Sequence, residues 1–330
     1  MSVKHSNISI FVPHIGCPNM CSFCNQRHIT GIHKAPQSSD VVQAVKVAEN
    51  SKNYNPKTTE IAFFGGSFTA ISRDYMVDLL KTAYEFVKSG DVFGIRVSTR
   101  PDAIDEETLK ILKQYGVTSI ELGAQSLDDR VLEMNNRGHT ALDVKNASAL
   151  IKRYGFSLGL QMMTGLYGDS DETSIKTAEQ IISLKPDTVR IYPTIVLKDT
   201  DLGVLYNGGL YKPQTLENAV ELSSKLLTMF YDADINVIRL GLHTIESSSY
   251  LAGPWHPAFS ELCQSRLFFK KAISLLGEKG NYTIFVNKSD VSKMTGQKKS
   301  NINALIDLGY NCKIMTDNTL ENHQIKVERS

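Results

Sequence analysis

The sequence predicts an α/β protein: a partial (β/α)6-type TIM barrel followed by a small C-terminal α/β extension. Short runs rich in β-branched residues alternate with amphipathic helical stretches, the order that produces parallel strands joined by helices. Polar residues and glycines recur directly after the strands, where barrel enzymes carry their functional loops. The predicted strands are residues 8–12, 60–64, 94–98, 119–123, 158–163, 188–192 and 236–240.

The helices between these strands have recognisable beginnings. Ser39, Ser72, Asp105, Thr140 and Ser170 are small polar residues suited to cap a following helix. After Ser72, apolar residues recur at the spacing that places them on one buried face. Thr140 is followed three residues later by an acidic residue, as in a capping box. These signals predict a separate helix after each strand.

The last quarter of the chain predicts a second unit. A helix at residues 258–275 precedes a strand at 282–286, a helix and turn at 289–308, and a strand at 313–315. We therefore expect a barrel core at residues 1–243 and an α/β extension at residues 244–330.

The composition excludes several classes of protein. Hydrophobic residues make up 42% of the 330 residues and charged residues 22%, which is ordinary for a soluble globular protein. The net charge of +1 does not indicate a nucleic-acid or membrane partner. No apolar run reaches the length of a signal-peptide core or a membrane span. Because clustered thiols must stay reduced, we expect a cytoplasmic protein.

Three of the five cysteines, Cys17, Cys21 and Cys24, lie within eight residues, just after the first predicted strand. A structural zinc or a simple electron-carrying cluster normally takes four protein ligands, so three thiolates leave one metal position open. A zinc site completed by another side chain is the main alternative, whereas a disulfide framework is disfavoured in a long, cysteine-poor chain. The residues that could complete a zinc site are Cys263, Cys312, His14 and His28.

Polar and glycine residues also gather at one end of the successive predicted strands. Gly65 and Gly66 favour close backbone approach or a simple turn. Gln125 and Gln161 are predicted to point inward, where a buried amide needs partners such as ribose hydroxyls. Arg100, Arg137 and His139 follow other strands. Arg100 could pair with Asp102 on the surface, and Arg137 is either a surface charge or, near the mouth of the barrel, a ligand for a carboxylate. His139 could be a ligand, a base or neither.

The cysteine spacing, C-x3-C-x2-C with Phe23 before the last cysteine, resembles the signature of the radical S-adenosylmethionine (SAM) superfamily. The resemblance narrows with Gly-Gly-Ser-Phe, Ser-Thr-Arg-Pro-Asp, Glu-Leu-Gly-Ala-Gln-Ser, Asn-Arg-Gly-His-Thr, Gln-Met-Met-x-Gly-Leu and Arg-Ile-Tyr-Pro-Thr. In this order the motifs, over residues 8–242, are similar to the radical SAM core of the Elongator catalytic subunit. A looser similarity runs to oxygen-independent coproporphyrinogen oxidase.

This resemblance implies a cofactor set and a reaction. Three cysteines would bind a [4Fe–4S] cluster whose fourth iron is chelated by SAM, and reductive cleavage of SAM would lead to hydrogen-atom abstraction from the substrate. The implied ligands of the cluster are Cys17, Cys21 and Cys24. The implied SAM contacts are Phe23 beside the adenine, Gly65, Gly66, Ser67, Ser98, Gln125, Gln161, and Arg137 on the SAM carboxylate.

The resemblance also implies partners: tRNA as a candidate substrate, with modification of the wobble uridine, and an electron donor such as flavodoxin or ferredoxin. Two differences from the Elongator catalytic subunit limit this resemblance. No acetyltransferase domain is recognisable after residue 242, and no basic RNA-binding segment precedes the first strand. A small metabolite or tetrapyrrole as substrate, and a non-catalytic protein that binds the cluster or SAM, are the alternatives.

Overall fold

A seven-stranded parallel sheet dominates the computed structural model, which describes residues 5–12, 17, 20–25, 34–242 and 248–330. Its strand order is β1-β2-β3-β4-β5-β6-β8. All seven predicted strands are present, and β1 and β8 form the two edges, so the predicted partial barrel is confirmed. The strands of the described part are β1 (Ser6–Val12), β2 (Thr59–Gly65), β3 (Gly94–Thr99), β4 (Val117–Gln125), β5 (Ser157–Thr164), β6 (Thr188–Pro193), β7 (Val196–Leu197), β8 (Asn236–Leu240), β9 (Tyr250–Ala252), β10 (Gly280–Val286), β11 (Tyr310–Thr316) and β12 (Ile325–Arg329).

Helices connect the strands of the sheet. The described helices are α1 (Ser38–Glu49), α2 (Arg73–Ser89), α3 (Glu106–Gln114), α4 (Asp129–Met134), α5 (Ala141–Arg153), α6 (Asp171–Leu184), α7 (Asp201–Asn207), α8 (Leu216–Asp232), α9 (Phe259–Leu275), α10 (Val291–Thr295) and α11 (Ser300–Asp307). The predicted cap at Thr140 is confirmed, because Thr140 and Asp143 exchange the two hydrogen bonds of a capping box. The cap predicted at Ser39 is wrong: α1 begins at Ser38, and Asp40 accepts a hydrogen bond from the backbone of Gln37.

Alternation along the strands separates two faces of the sheet. Ile61 and Phe63 on β2, Ile120 and Leu122 on β4, and their neighbours are fully buried against the helices. Residues at the intervening positions line the inner face of the barrel, which we call the lumen. Because successive side chains of a strand point to opposite faces, this pattern assigns each inward position directly.

The C-terminal extension is built on α9, which packs along α8. Strands β11, β10 and β12 form a mixed sheet in that order, with β10 parallel to β11 and antiparallel to β12. Strands β10 and β11 were predicted, whereas β12 was missed because its sequence, Ile-Lys-Val-Glu-Arg, alternates apolar and charged residues on a mostly exposed edge. The predicted helical stretch at residues 289–308 divides into α10 and α11 at Gly296, where φ is +75°.

One continuous hydrophobic cluster joins the barrel helices and the extension. Phe230 on α8, Phe268 on α9 and Ile284 on β10 are all completely buried in it. The imidazole of His323 also stacks on the ring of Tyr231, with centroids 4.4 Å apart. The predicted boundary between residues 243 and 244 lies beside residues 243–247, outside the described part. We propose that core and extension unfold as one cooperative unit.

Truncation of the shared cluster tests this proposal. Phe268→Ala should lower the free energy of unfolding by roughly 3–5 kcal/mol, because it removes a fully buried ring and leaves a cavity. Leu275→Ala on the same helix, where the side chain is 54% exposed, should change it by less than about 1 kcal/mol. Urea denaturation followed by circular dichroism should show one transition for both variants. A separate early transition in Phe268→Ala would contradict a single unit.

Candidate functional site

The cysteine-bearing loop is attached to the barrel from two sides. The backbone N–H of Ser22 donates to the carbonyl of Asn135 at 3.1 Å, and its hydroxyl donates to the Asn135 side-chain oxygen at 2.7 Å. From the opposite side, the N–H of Leu202 in α7 donates to the Ser22 carbonyl at 2.7 Å. Neither the three cysteines of the loop nor Cys263 and Cys312 form a disulfide. The loop is thus held at the carboxyl edge of the sheet with its thiols reduced.

Phe23 packs in this loop against an apolar cluster that includes Val196, Leu202 and Tyr211. The ring is half-buried, and the cluster residues that it packs against come from β7, from α7 and from the segment that follows α7. The predicted contact with an adenine stays a prediction. Packing of Phe23 provides a second reason for the fixed position of the cysteines.

Two buried arginines flank the thiols. Arg137 donates through Nη1 to the sulfur of Cys21 at 3.0 Å and through Nη2 to the carbonyl of Gly123 at 2.6 Å. Arg100 forms two hydrogen bonds of 2.9 Å to Asp102 and a third, 2.6 Å long, to the carbonyl of Arg137. Only 4% of Arg100 and 6% of Arg137 is exposed, so neither is a surface charge.

Both arginines keep a buried N–H group without an acceptor in the described part of the chain. These groups are Nη1 of Arg100 and Nε of Arg137. Burial and the adjacent Cys21 raise the pKa of Cys17, while the charges of both arginines act in the opposite direction. The arginines therefore supply positive charge beside the thiols and two donors for a ligand.

The backbone after β2 approaches β1 more closely than a side chain would allow. Gly65 has φ of +116°, and a Cβ atom there would lie 2.5 Å from the carbonyl oxygen of Val12. The N–H of Gly66 donates to that same oxygen at 2.9 Å. Ser67 is buried and shares a 2.8 Å hydrogen bond with Thr99. Gly65 is thus required by the close packing of two backbones.

Two amide side chains offer acceptors at the same end of the barrel. Gln161 uses its Nε2 to donate to Ser98 at 3.2 Å and to Glu121 at 3.1 Å, which leaves its Oε1 as the group available to a ligand. Gln125 has an unusual positive φ of +64°, and its buried Oε1 has no donor among the described residues. An unsatisfied buried acceptor is costly, so a ligand that donates hydrogen bonds would stabilise this site.

Together these groups fit a zwitterionic ligand. The carboxamide oxygens of Gln125 and Gln161 suit an ammonium group or hydroxyls, and the N–H groups of Arg100 and Arg137 suit a carboxylate. The methionine and ribose parts of SAM carry these groups. The residues present thus fit the cofactor that the sequence motifs imply.

The zinc alternative finds no support in residues 5–12, 17, 20–25, 34–242 and 248–330, where no three His, Cys, Asp or Glu side chains converge as ligands of a single ion. Cys263 is completely buried in α9, and Cys312 lies on β11 of the extension. His14 and His28 lie outside the described residues. In an iron–sulfur cluster each thiolate binds a different iron, so the sulfurs need not meet at one point.

His139 lies in the interior beside the site. Its Nε2 hydrogen-bonds to the carbonyl of Ala124 at 3.2 Å, and only 5% of the residue is exposed. Burial and, to a smaller extent, the charge of Arg137 together lower the pKa of His139 to about 4. The imidazole is therefore neutral at pH 7 and braces the strand end that carries Gln125.

Sequence analysis missed an ion network in the lumen. Its members are Glu60, Arg96, Glu121 and Arg190, one from each of four strands, and we call it the luminal network. Arg96 contacts Glu60 at 2.8 Å and Glu121 at 3.0 Å, and Arg190 contacts Glu121 at 2.7 Å. The available signal was a charged residue at an inward position of otherwise apolar parallel strands.

The negative charge of Glu60 is strongly stabilised by its neighbours. Burial opposes its charged form, but hydrogen bonds and positive charge from His5 and Arg96 outweigh burial and lower the pKa to about 2. Glu60 therefore remains charged across the physiological pH range.

The parallel partial barrel and the three-cysteine loop at its carboxyl edge define a radical SAM enzyme. The chain belongs to the radical SAM superfamily: the superfamily model matches residues 11–181, and the radical SAM C-terminal domain model matches residues 186–268. Enzymes of this superfamily use a [4Fe–4S] cluster and SAM, and these are the cofactors of this protein.

Relatives confirm the resemblance to the Elongator catalytic subunit. A "tRNA uridine(34) acetyltransferase" of Methanocaldococcus jannaschii is 29% identical over 185 residues, which cover 50% of this chain and 34% of that protein. Human Elongator complex protein 3 is 32% identical over 190 residues, covering 52% and 35%. The chain spans 34% to 52% of the length of the first curated relatives it matches.

A solved structure shows the same fold. The archaeal Methanocaldococcus infernus Elp3 with a deletion of its N-terminus (1–46) has a TM-score of 0.67 at 21% identity, covering 81% of this chain and 63% of that chain. None of the helices in the described part of this chain is long and apolar enough to cross a membrane.

The dependence of the free energy of unfolding on pH, at acid pH, tests the role of Glu60. Its folded pKa is lowered to about 2, so its contribution is complete above the unfolded value near 4.5 and is lost as the pH falls toward 2. Glu60→Gln should therefore lower the free energy of unfolding at pH 7 by roughly 3 kcal/mol, and the difference from the wild type should shrink below pH 4. Urea titrations from pH 2 to pH 8 measure it. Glu107→Gln, at an exposed position, is the control. A difference that does not vary with pH would contradict this role.

The close approach at Gly65 is tested against Gly90. Both glycines have positive φ, +116° and +82°, so alanine costs roughly 1–2 kcal/mol of backbone strain at either position. Only at Gly65 does the new Cβ meet a carbonyl oxygen, at 2.5 Å, whereas nothing lies within 4 Å at Gly90. Gly65→Ala should thus lose clearly more stability than Gly90→Ala in thermal denaturation. Equal losses of stability in the two variants would show that β1 moves away from the new Cβ atom at little energetic cost.

Proposed function

We propose that this protein carries out the radical step of a tRNA modification at the wobble uridine. The single observation that supports the chemistry is the arrangement at the carboxyl edge of the barrel. There a loop with three reduced cysteines lies beside two buried arginine N–H groups. The amide oxygens of Gln125 and Gln161 lie at the same end of the barrel and are available to a ligand. Support for tRNA comes from the names of the relatives, "tRNA uridine(34) acetyltransferase" and "Elongator complex protein 3".

In this proposal Cys17, Cys21 and Cys24 hold three irons of the cluster. When bound, the cluster and SAM supply reductive cleavage of the sulfonium and removal of a hydrogen atom from the substrate. The protein residues hold SAM and exclude water. Gly66 and Ser67 contribute backbone beside the methionine group, while Gly65 permits their close approach.

The polar side chains orient the cofactor. Ser98, Gln125 and Gln161 contact the ammonium and hydroxyl groups, and Arg137 contacts the carboxylate through its remaining Nε–H. The Nη1–H of Arg100, which has no acceptor among the described residues, is a second donor for that carboxylate. Phe23 closes the adenine end. Because these groups are held by hydrogen bonds before the cofactor binds, little reorganisation is needed on binding.

We assign only the radical step to this chain, since the resemblance extends over residues 11–268. We propose a small flavin or iron–sulfur protein, such as flavodoxin or ferredoxin, as the electron donor. Met20, 71% exposed, lies beside Cys21 and marks where the loop reaches the surface. The need for reduced thiols supports a cytoplasmic location.

Anaerobic reconstitution tests the cluster. The wild-type protein should bind about four irons and form 5′-deoxyadenosine from SAM with dithionite. Cys17→Ser, Cys21→Ser and Cys24→Ser should each lose the cluster and this activity, because serine is a poor iron ligand. Cys312→Ser, a half-buried cysteine of the extension, should keep both. An iron-free wild type, or equal loss in Cys312→Ser, would reject the assignment of ligands.

Nucleoside analysis tests the substrate. Total tRNA from cells that lack this protein should lose a modified wobble uridine, measured by mass spectrometry of digested tRNA. Wild-type protein should restore it, and Cys21→Ser should not. An unchanged nucleoside profile together with intact SAM cleavage would assign the radical step to a small metabolite.

A further inference from the structure

Among the described residues, the two arginines of the luminal network are paired with carboxylates, whereas the arginine at the β8 edge of the lumen is not. Arg96 and Arg190 are neutralised by Glu60 and Glu121 in the luminal network. Arg239 on β8 is half-buried, and within the described residues its side chain makes one hydrogen bond, 3.0 Å long, from Nε to the carbonyl of Gly241. Its two terminal amino groups thus have no carboxylate partner there. A half-buried cation without a counter-ion favours binding of an anion.

Strand register indicates where Arg239 points. Val189 pairs with Val237 on the helix-covered face; after a bulge, Arg190 pairs with Arg239 and Ile191 with Leu240. Because paired residues of neighbouring strands share a face, Arg239 faces the lumen beside Arg190. The same row continues to Gln161, which pairs with Arg190 on the other side. Arg239 therefore lies two strands from a residue of the proposed SAM site.

Tyr192 adds a donor to the same place. It follows Arg190 by two positions on the lumen side, and Arg190 Nη1 donates to its hydroxyl oxygen at 3.4 Å. Burial raises the pKa of Tyr192, although the charges of Arg190 and Arg239 act in the opposite direction, so the phenol stays protonated at neutral pH. Since its oxygen already accepts from Arg190, the phenol O–H remains available to a ligand.

We propose that Arg239 and Tyr192 form a subsite for a phosphate group of the substrate, at the open β8 edge of the barrel. Nε of Arg239 is occupied by Gly241, so the side-on bidentate contact that a carboxylate prefers is blocked. The terminal amino groups and the tyrosine hydroxyl approach from two strands and match a group with three or more oxygens. Naming the phosphate as part of the substrate rests on the proposed function, whereas the subsite itself does not.

Titration of the protein without SAM with inorganic phosphate, at constant ionic strength, tests the subsite by calorimetry. The wild type should bind phosphate saturably, and Arg239→Gln should bind it at least about tenfold more weakly, because charge-assisted hydrogen bonds are lost. Tyr192→Phe should weaken binding by a smaller factor. Arg266→Gln is the matched control, because Arg266 is a half-buried arginine already paired with Glu221. Equal affinity of the wild type and Arg239→Gln, absence of saturable binding, or equally tight binding of acetate would overturn the proposal.

A second measurement needs no variant. Phosphate should slow modification of Arg239 by phenylglyoxal in the wild-type protein, read by peptide mass mapping, and should not slow that of Arg266. Lack of selective protection would also overturn the subsite. Two further ligands identify its source: tighter binding of the dinucleotide UpU indicates an RNA phosphodiester, and tighter binding of glucose 6-phosphate indicates a metabolite. Either binding result supports the subsite. Calorimetry and phenylglyoxal modification can both be carried out without radical chemistry.

Discussion

The buried ion pairing of Glu60, Arg96, Glu121 and Arg190 is the constraint on which the rest of this barrel depends. Each charge comes from a different strand, so the network can pair only if all four strands have the correct register. Removal of one member would leave a buried charge without a partner, which is far costlier than the loss of a surface pair. A lumen that contains these charges therefore requires a fixed order and register of the strands.

The luminal network is linked directly to the candidate site. Glu121 accepts from Gln161, and the same amide nitrogen donates to Ser98, which determines the direction in which the Gln161 oxygen points. At the rim, Asn135 holds the cysteine loop, and Arg137 joins Cys21 to the backbone of β4. The ion pairs thus position the polar groups above them, and the loop that carries the thiols is attached to the same strands.

Much of the fold and part of the site could be predicted from the sequence, because those features depend on local spacing. Strand and helix periodicity identified all seven strands of the main sheet, and the spacing of Cys17, Cys21 and Cys24 indicated a metal-binding loop. Local sequence signals failed for elements whose position depends on the surrounding structure. The cap at Ser39 was misplaced because several adjacent polar residues compete for the same helix start, and β12 was missed because an exposed edge strand lacks an apolar pattern.

The sequence by itself therefore determined the class of fold, the cysteine motif and the superfamily, since each is written in residues close together along the chain. Only the tertiary structure decided which charges meet in the lumen and that Arg137 contacts Cys21. It also decided that, among the described residues, Arg100 keeps a donor without an acceptor and Arg239 faces inward without a carboxylate. These relations join residues many positions apart. They depend on register and on burial, which determine the partner of each charge and which no single segment encodes.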